Sequence, residues 1–167
     1  APETLSPLIQ KTNTEPDWKL IGIKQLDEKG RDTYPFGLFL QWWNIWPPIR
    51  SLQRWIGGEK LSKKTWSALS VSYPDWISGS FILLRKSDFL ILNGWNENYW
   101  MYYEDMDLCK RAKDLNLKVS LFNNWKCIHF HGESSRKNKT ITVMSKTEVI
   151  KSAHIYIQNH YKNLSAL

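Results

Sequence analysis

The alternation of apolar and polar positions divides the chain into short segments with either helical or extended spacing. Apolar residues recur every three to four positions in some segments, which is typical of amphipathic helices, whereas others are apolar runs of strand length. The pattern predicts helices over residues 1–12, 86–92, 104–116 and 146–161, and strands over residues 18–26, 76–84, 118–122 and 127–131. This mixture indicates an α/β fold in which helices pack on a mixed sheet.

The predicted helix over residues 104–116 begins with three acids. Asp105 is four residues before Cys109 and seven before Ala112, so it lies above the apolar stripe and should point towards the interior. Asp107 is four residues before Arg111, a spacing typical of a surface ion pair. The spacing therefore favours Asp105 as the reactive acid, for example as a general base. The alternative is an acidic first turn with no chemistry, because acids are common at helix N-termini.

Glu104 could cap the helix, hold a neighbouring cation or contact a substrate hydroxyl. The Asp105-Met106-Asp107 triplet has the form of a metal-binding motif. In a helix, however, residues two apart point about 200° from each other, so these two acids would not chelate one ion.

Further candidate ligands lie near the end of the last predicted strand. His129 and His131 are two residues apart and point to one face of a strand, which suits metal ligation. They could equally be partly buried, hydrogen-bonded histidines. Arg136, Lys137 and Lys139 follow in a polar loop that could clamp a diphosphate, or could simply be solvated.

Composition adds information about partners. The chain has 167 residues, 23 Lys and Arg against 16 Asp and Glu, a formal charge of +7, and ten tryptophans. Basic charge suits anionic partners, and tryptophan is frequent at sugar sites, interfaces and membrane surfaces. Residues 36–58 are especially aromatic, which predicts a segment facing a membrane or an acceptor, or else a contact within the fold. The alternative to an enzyme is a basic, aromatic module that binds a membrane surface or nucleic acid, although the chain has no recognised nucleic-acid motif.

Four motifs in order carry a family resemblance. The chain resembles the second half of the family 2 glycosyltransferases, in particular the rhamnosyl- and galactofuranosyltransferase-like enzymes. The matching segments are Trp76–Ser80, Asn93–Glu97, Trp100–Arg111 and His129–Ser135. The family often has Asp at the position of Asn96, so any role of that acid is in doubt here.

The resemblance implies a GT-A fold and the inverting transfer of a sugar from a nucleotide-sugar to an acceptor hydroxyl, with Mg²⁺ or Mn²⁺. It implies Asp105 as the general base, with Glu104 beside it, and His129 as a metal ligand. It further implies a set of residues that line the sugar and acceptor pocket or approach the phosphates: Trp76, Gly79, Ser80, Trp100, Tyr103 and Arg136.

Family members bind the nucleotide with an N-terminal half that ends in an Asp-x-Asp metal motif, and this half has no counterpart in the chain. We therefore expect residues 1–167 to be a single partial domain, the acceptor-side half, which is inactive alone and does not bind the metal by itself. Expected partners are a nucleotide-sugar donor and a saccharide or lipid-linked saccharide acceptor. The expected location is the cytoplasm, with peripheral contact to the plasma membrane, in bacterial surface polysaccharide synthesis.

Overall fold

The computed structural model describes residues 2–44, 65–130 and 139–161. Residues 65–68 are helical, and a single 3₁₀ turn covers Trp42–Asn44. The other helices and strands are, in chain order, α1 (Pro2–Asn13), β1 (Trp18–Leu26), β2 (Phe36–Gly37), β3 (Val71–Ser72), β4 (Trp76–Ile77), α2 (Lys86–Ile91), α3 (Glu104–Asp114), β5 (Lys118–Ile128) and α4 (Lys139–His160).

Strand β5 is the centre of a mixed three-stranded sheet. It pairs in parallel with β1 on one side and antiparallel with β3 on the other. The register between β1 and β5 shifts after Ile23, where three residues of β5 have no partner in β1. A separate antiparallel ladder joins β2 to β4. The sheet is mixed and helices accompany it, which confirms the predicted α/β class.

The sheet separates two hydrophobic clusters, because successive residues of a strand point to opposite faces. On β1, Leu20 belongs to the larger cluster, whereas Ile21 belongs to the smaller one. On β5, Leu121 and Phe122 are divided in the same way. The larger cluster includes the apolar stripe of α3, which fixes this helix against the sheet.

Helix α4 packs on the larger cluster through Tyr156, which is fully buried. Just beyond its last turn, Tyr161 donates a hydrogen bond from its hydroxyl to the carbonyl of Leu40 at 2.9 Å. Earlier in the helix, Ser152 donates from its hydroxyl to the carbonyl of Met101 at 2.8 Å. Helix α4 therefore holds the loop that leads into α3.

Most predicted elements are confirmed, among them the helix at the start of the chain and the strand Trp18–Leu26. The strand predicted over residues 76–84 is wrong: β4 ends at Ile77 and a turn follows, in which Phe81 N–H bonds to the carbonyl of Ser78 at 3.2 Å. The two strands predicted after residue 117 are one bulged strand, β5.

The aromatic segment predicted over residues 36–58 lies outside the described residues from position 45 onwards. In its described part, Trp42 and Trp43 are both exposed. Its contact with a membrane or an acceptor stays a prediction, as does the single partial domain over residues 1–167. No helix in the described parts of the chain has the length and apolar character needed to cross a membrane.

Candidate active site

Asp105 lies in the first turn of α3 and faces the turn that follows β4. Its Oδ2 accepts a hydrogen bond from Gly79 N–H at 3.0 Å, and its Oδ1 accepts one from Met106 N–H at 2.7 Å. Burial raises the pKa of Asp105 above its ordinary value, although these backbone N–H groups partly oppose the shift. The sequence prediction that Asp105 points inwards agrees with this geometry.

The backbone that leads into α3 is strained. Tyr102 and Tyr103 both have left-handed conformations, with φ of 68° and 67°, which non-glycine residues rarely adopt. The Tyr103 ring packs against Tyr156 of α4, with a centroid distance of 5.9 Å. Strain of this kind persists only where surrounding structure enforces it, and it is concentrated at functional sites.

Glu104 precedes Asp105 and is half-buried. Burial raises the pKa of Glu104, and the neighbouring charge of Asp105 adds to the effect. Its Oε2 is buried and has no hydrogen-bond partner among the described residues. An acceptor of this kind beside a candidate base is available for a substrate hydroxyl.

A polar network that was not predicted from the sequence supports the turn around Gly79. Gln25 of β1 is only 1% exposed, and its amide lies 2.7 and 2.9 Å from Ser80 Oγ through its nitrogen and oxygen respectively. Ser80 Oγ also lies 2.9 Å from Ser78 Oγ. These bonds fix the turn that presents Gly79 N–H to Asp105. The available signal was Gln25, an uncharged polar residue in a largely apolar strand.

The prediction that Asp107 forms a surface ion pair is wrong in its location. The pair with Arg111 exists, with Arg111 Nε 2.8 Å from Asp107 Oδ2, but Asp107 is 1% exposed. His160 Nε2 lies 2.8 Å from Asp107 Oδ1, and Tyr99 donates a hydroxyl hydrogen bond to the same oxygen at 3.3 Å. Helix α4, which brings His160, covers the acid.

The environment of Asp107 also sets its charge. Burial alone would raise the pKa of Asp107, but the hydrogen bond from His160 and the charge of Arg111 outweigh it and hold that pKa below its ordinary value. Asp107 is therefore an ionised structural anchor between α3 and α4.

The residues predicted to line the pocket are at different distances from Asp105. Gly79 touches it directly. Ser80 is one residue further on and is bonded to Gln25. Trp76 is half-buried and donates from Nε1 to the carbonyl of Leu38 at 3.0 Å, so it braces the β2–β4 ladder. Trp100 is 66% exposed and free to meet a ligand.

The predicted metal ligand His129 directly follows β5, where its backbone N–H bonds to the carbonyl of Leu26 at 2.9 Å. His131 and Arg136 lie outside the described residues. In residues 2–44, 65–130 and 139–161, no three His, Cys, Asp or Glu side chains group so as to hold a metal ion.

Part of the chain, including this site, is similar to known glycosyltransferases. A family model described as the N-terminal domain of galactosyltransferase matches residues 65–133, the segment that contains Gly79 and the Glu104–Asp105 pair. The chain is also 35% identical, over 88 residues, to the rhamnosyltransferase WbbL of Escherichia coli (strain K12). Both matches are to glycosyltransferases, which supports sugar transfer in general.

The glycosyltransferase match has definite limits. The alignment with the rhamnosyltransferase covers 53% of this chain and 33% of the relative, so the chain spans about a third of the length of that curated relative. No solved structure matches the chain. The resemblance seen in the sequence is confirmed at the level of glycosyltransferases, while assignment to family 2 stays a prediction.

Proposed function

We propose that the full-length protein transfers a sugar from a nucleotide-sugar donor to an acceptor hydroxyl with inversion, as a family 2 enzyme of the GT-A fold, and that Asp105 is the general base. The observation that carries the proposal is the placement of Asp105, whose carboxylate is held by Gly79 N–H and Met106 N–H at the start of α3. The similarity of residues 65–133 and of the wider chain to glycosyltransferases supports the reaction class.

The proposed reaction is a single displacement at the anomeric carbon, in which one bond forms and one breaks. The acceptor oxygen attacks the anomeric carbon, the bond from that carbon to the diphosphate breaks, and the diphosphate leaves with the bonding electrons. Asp105 takes the proton of the acceptor hydroxyl. Each of its oxygens accepts one hydrogen bond from the backbone and keeps lone-pair capacity for that proton. A pKa raised by burial makes the carboxylate a stronger base.

Glu104 is proposed to orient the acceptor. Its Oε2 is buried without a hydrogen-bond partner in the described part of the chain, and a sugar hydroxyl would satisfy it. Trp100, which is exposed, and Tyr103, at the start of α3, are proposed to contact the same substrate.

A divalent ion, Mg²⁺ or Mn²⁺, is proposed for the full-length enzyme, where it would supply positive charge to the leaving diphosphate. The described residues do not fit such an ion by themselves, since no three ligands of the usual types come together among them. His129 and Arg136 are proposed to approach the metal and the phosphates, and no step is derived from that contact.

The remaining proposals concern the whole protein. The donor is proposed to be bound mainly by residues outside this chain, which is therefore expected to be inactive alone. The acceptor is proposed to be a saccharide or lipid-linked saccharide of the bacterial cell envelope, met at the cytoplasmic face of the plasma membrane.

The test uses the full-length protein with a panel of nucleotide-sugars and acceptor glycosides, and measures acceptor-dependent release of nucleoside diphosphate. We expect Asp105→Asn to lower kcat by about 10²–10⁴-fold, the usual contribution of a general base. Asp114→Asn is the matched control, because Asp114 is an exposed acid of the same helix that pairs with Lys110. Asp105→Asn activity within a few-fold of the control would contradict the proposal.

A further inference from the structure

The indole of Trp95 lies beside Asp105, with only Gly79 between them. A Cβ atom added at Gly79 would stand 3.9 Å from Trp95 Cη2, 3.9 Å from Asp105 Oδ2 and 3.5 Å from Asp105 Cβ. Because Trp95 Cη2 and Asp105 Oδ2 each lie 3.9 Å from the same point, the distance between these two atoms is less than twice 3.9 Å. Because Gly79 has no side chain, an opening about the size of one methyl group separates them.

Trp95 is partly exposed at this place, with 41% of its surface accessible. On its other side it meets Phe89 of α2 edge to face, with ring centroids 6.2 Å apart and an interplanar angle of 67°. An exposed tryptophan that is braced on one side presents a rigid apolar surface on the other.

The same helix that carries Asp105 also fixes Trp95. Gly94, the residue before it, has a φ of 67°, and its carbonyl accepts a hydrogen bond from Arg111 Nη2 at 3.0 Å. Arg111 is itself held by Asp107 through Nε at 2.8 Å. Since Arg111 and Asp107 belong to α3, this hydrogen bond ties the backbone beside Trp95 to the helix that carries Asp105.

Resting on the proposed function, we propose that Trp95 is the platform for the acceptor sugar, whose ring stacks its C–H face on the indole and directs a hydroxyl to Asp105. The ligand class follows from the chemistry of the opening. A sugar ring has an apolar face that suits an aromatic surface and a hydroxyl edge that suits a carboxylate. A phosphate group would meet the negative charge of Asp105 at this place.

Binding is tested on the full-length protein by saturation-transfer NMR with methyl pyranosides of the gluco, galacto, N-acetylgluco and rhamno series. For the pyranoside that binds best, we expect Trp95→Leu to raise Kd about tenfold and Trp95→Phe, which keeps an aromatic face, to raise it less than about threefold. The matched control is Trp125→Leu, because Trp125 is a partly buried tryptophan in the smaller cluster on the other face of the sheet. It should leave Kd unchanged.

Gly79→Ala is a second variant that does not alter the indole. No positive φ restricts this position and the added methyl meets only ordinary contacts, so the variant should fold while filling the opening. We expect it, too, to raise Kd by about tenfold. It carries the test if Trp95→Leu loses stability.

Two results would overturn the proposal that Trp95 binds the acceptor sugar. One is no saturation transfer to any of the pyranosides, and the other is an unchanged Kd in both Trp95→Leu and Gly79→Ala. The proposed function fails separately. If Asp105→Asn keeps its transfer activity while Trp95→Leu weakens sugar binding, the base assignment is wrong and the platform stands.

Discussion

Asp105 and Asp107 are two residues apart on one helix, yet their surroundings are opposite. Asp105 meets backbone N–H groups, and burial raises its pKa. Asp107 is more completely enclosed, yet Arg111 and His160 contact it directly and its pKa is lowered. The difference comes from the neighbours brought by the fold, because both side chains are the same.

This contrast separates an acid suited to chemistry from one suited to structure. Two carboxylates whose environments push their pKa values apart are a recurrent sign of divided roles. Asp105 can take up a proton, whereas Asp107 remains ionised and ties α3 to α4. The glycosyltransferase motif that contains both acids therefore combines a candidate base with its anchor.

The largest expected effect on stability is that of replacing Asp107. Asp107→Asn should lower the free energy of unfolding by about 3 kcal/mol, because it leaves Arg111 facing a buried site without its counter-charge. Chemical denaturation measures the change. Asp114→Asn, which removes an exposed pair with Lys110, should cost less than about 1 kcal/mol. Equal effects of the two substitutions would break the distinction between anchor and surface acid.

A smaller effect concerns the support of Asp105. Ser80→Ala leaves the buried amide of Gln25 without its partner and should lower the free energy of unfolding by about 2 kcal/mol. Because Gly79 N–H is then held less firmly, the pKa of Asp105 should rise further. The acid limb of kcat/KM in the full-length enzyme should move to higher pH, which a purely structural role would not cause.

Thr14→Ala is the control for that experiment, since its exposed hydroxyl bonds to the carbonyl of Lys11 at the end of α1. It should change neither the denaturation midpoint nor the pH profile appreciably. A Ser80→Ala enzyme that is less stable but has an unshifted acid limb would remove Gln25 and Ser80 from the account of the site.

The smallest effect has the opposite sign to that of Asp107→Asn. Folding raises the pKa of Asp105, so the ionised carboxylate lowers the free energy of unfolding. This loss of stability is absent at pH well below 3.8 and complete above the pKa of the folded state. Asp105→Asn should therefore slightly stabilise the protein at neutral pH and not at acid pH. The lowered pKa of Asp107 contributes stability that is present above 3.8 and is lost as the pH falls through the folded pKa.

Denaturation of both variants across the acid range measures these slopes. The difference in unfolding free energy between Asp107→Asn and the unchanged protein should shrink as the pH falls. The difference in unfolding free energy between Asp105→Asn and the unchanged protein should shrink as well, but here the variant is the more stable of the two at neutral pH. Slopes of the same sign would show that the two environments do not differ as described.

Local spacing predicted much of the fold, because helices and strands on a buried face carry their periodicity in sequence. The strand Trp18–Leu26 and the helix that carries Asp105 are examples. The turn after Ile77 was missed because the apolar run over residues 81–84 continues the pattern of β4. The chain instead turns at Ser78 and forms an isolated bridge to β1 at Leu83.

Only those contacts of the site that join residues close together in the sequence were predicted. The four-residue spacing revealed the pair of Asp107 with Arg111, but the burial of that pair depends on His160, more than fifty residues later. Gln25 and Trp95 were missed for the same reason: each reaches Asp105 through Gly79, a neighbour created by the tertiary fold. Periodicity carries no information on such distant contacts.

The most direct test of the divided roles is titration of the two carboxyl carbons by NMR in protein labelled with ¹³C at aspartate Cγ, with Asp105→Asn and Asp107→Asn used for assignment. We expect Asp105 to titrate above the ordinary value of 3.8 and Asp107 below it. The same order should hold in Asp114→Asn. Two carboxyl groups that titrate together, or an Asp107 that titrates above Asp105, would contradict the assignment of base and anchor.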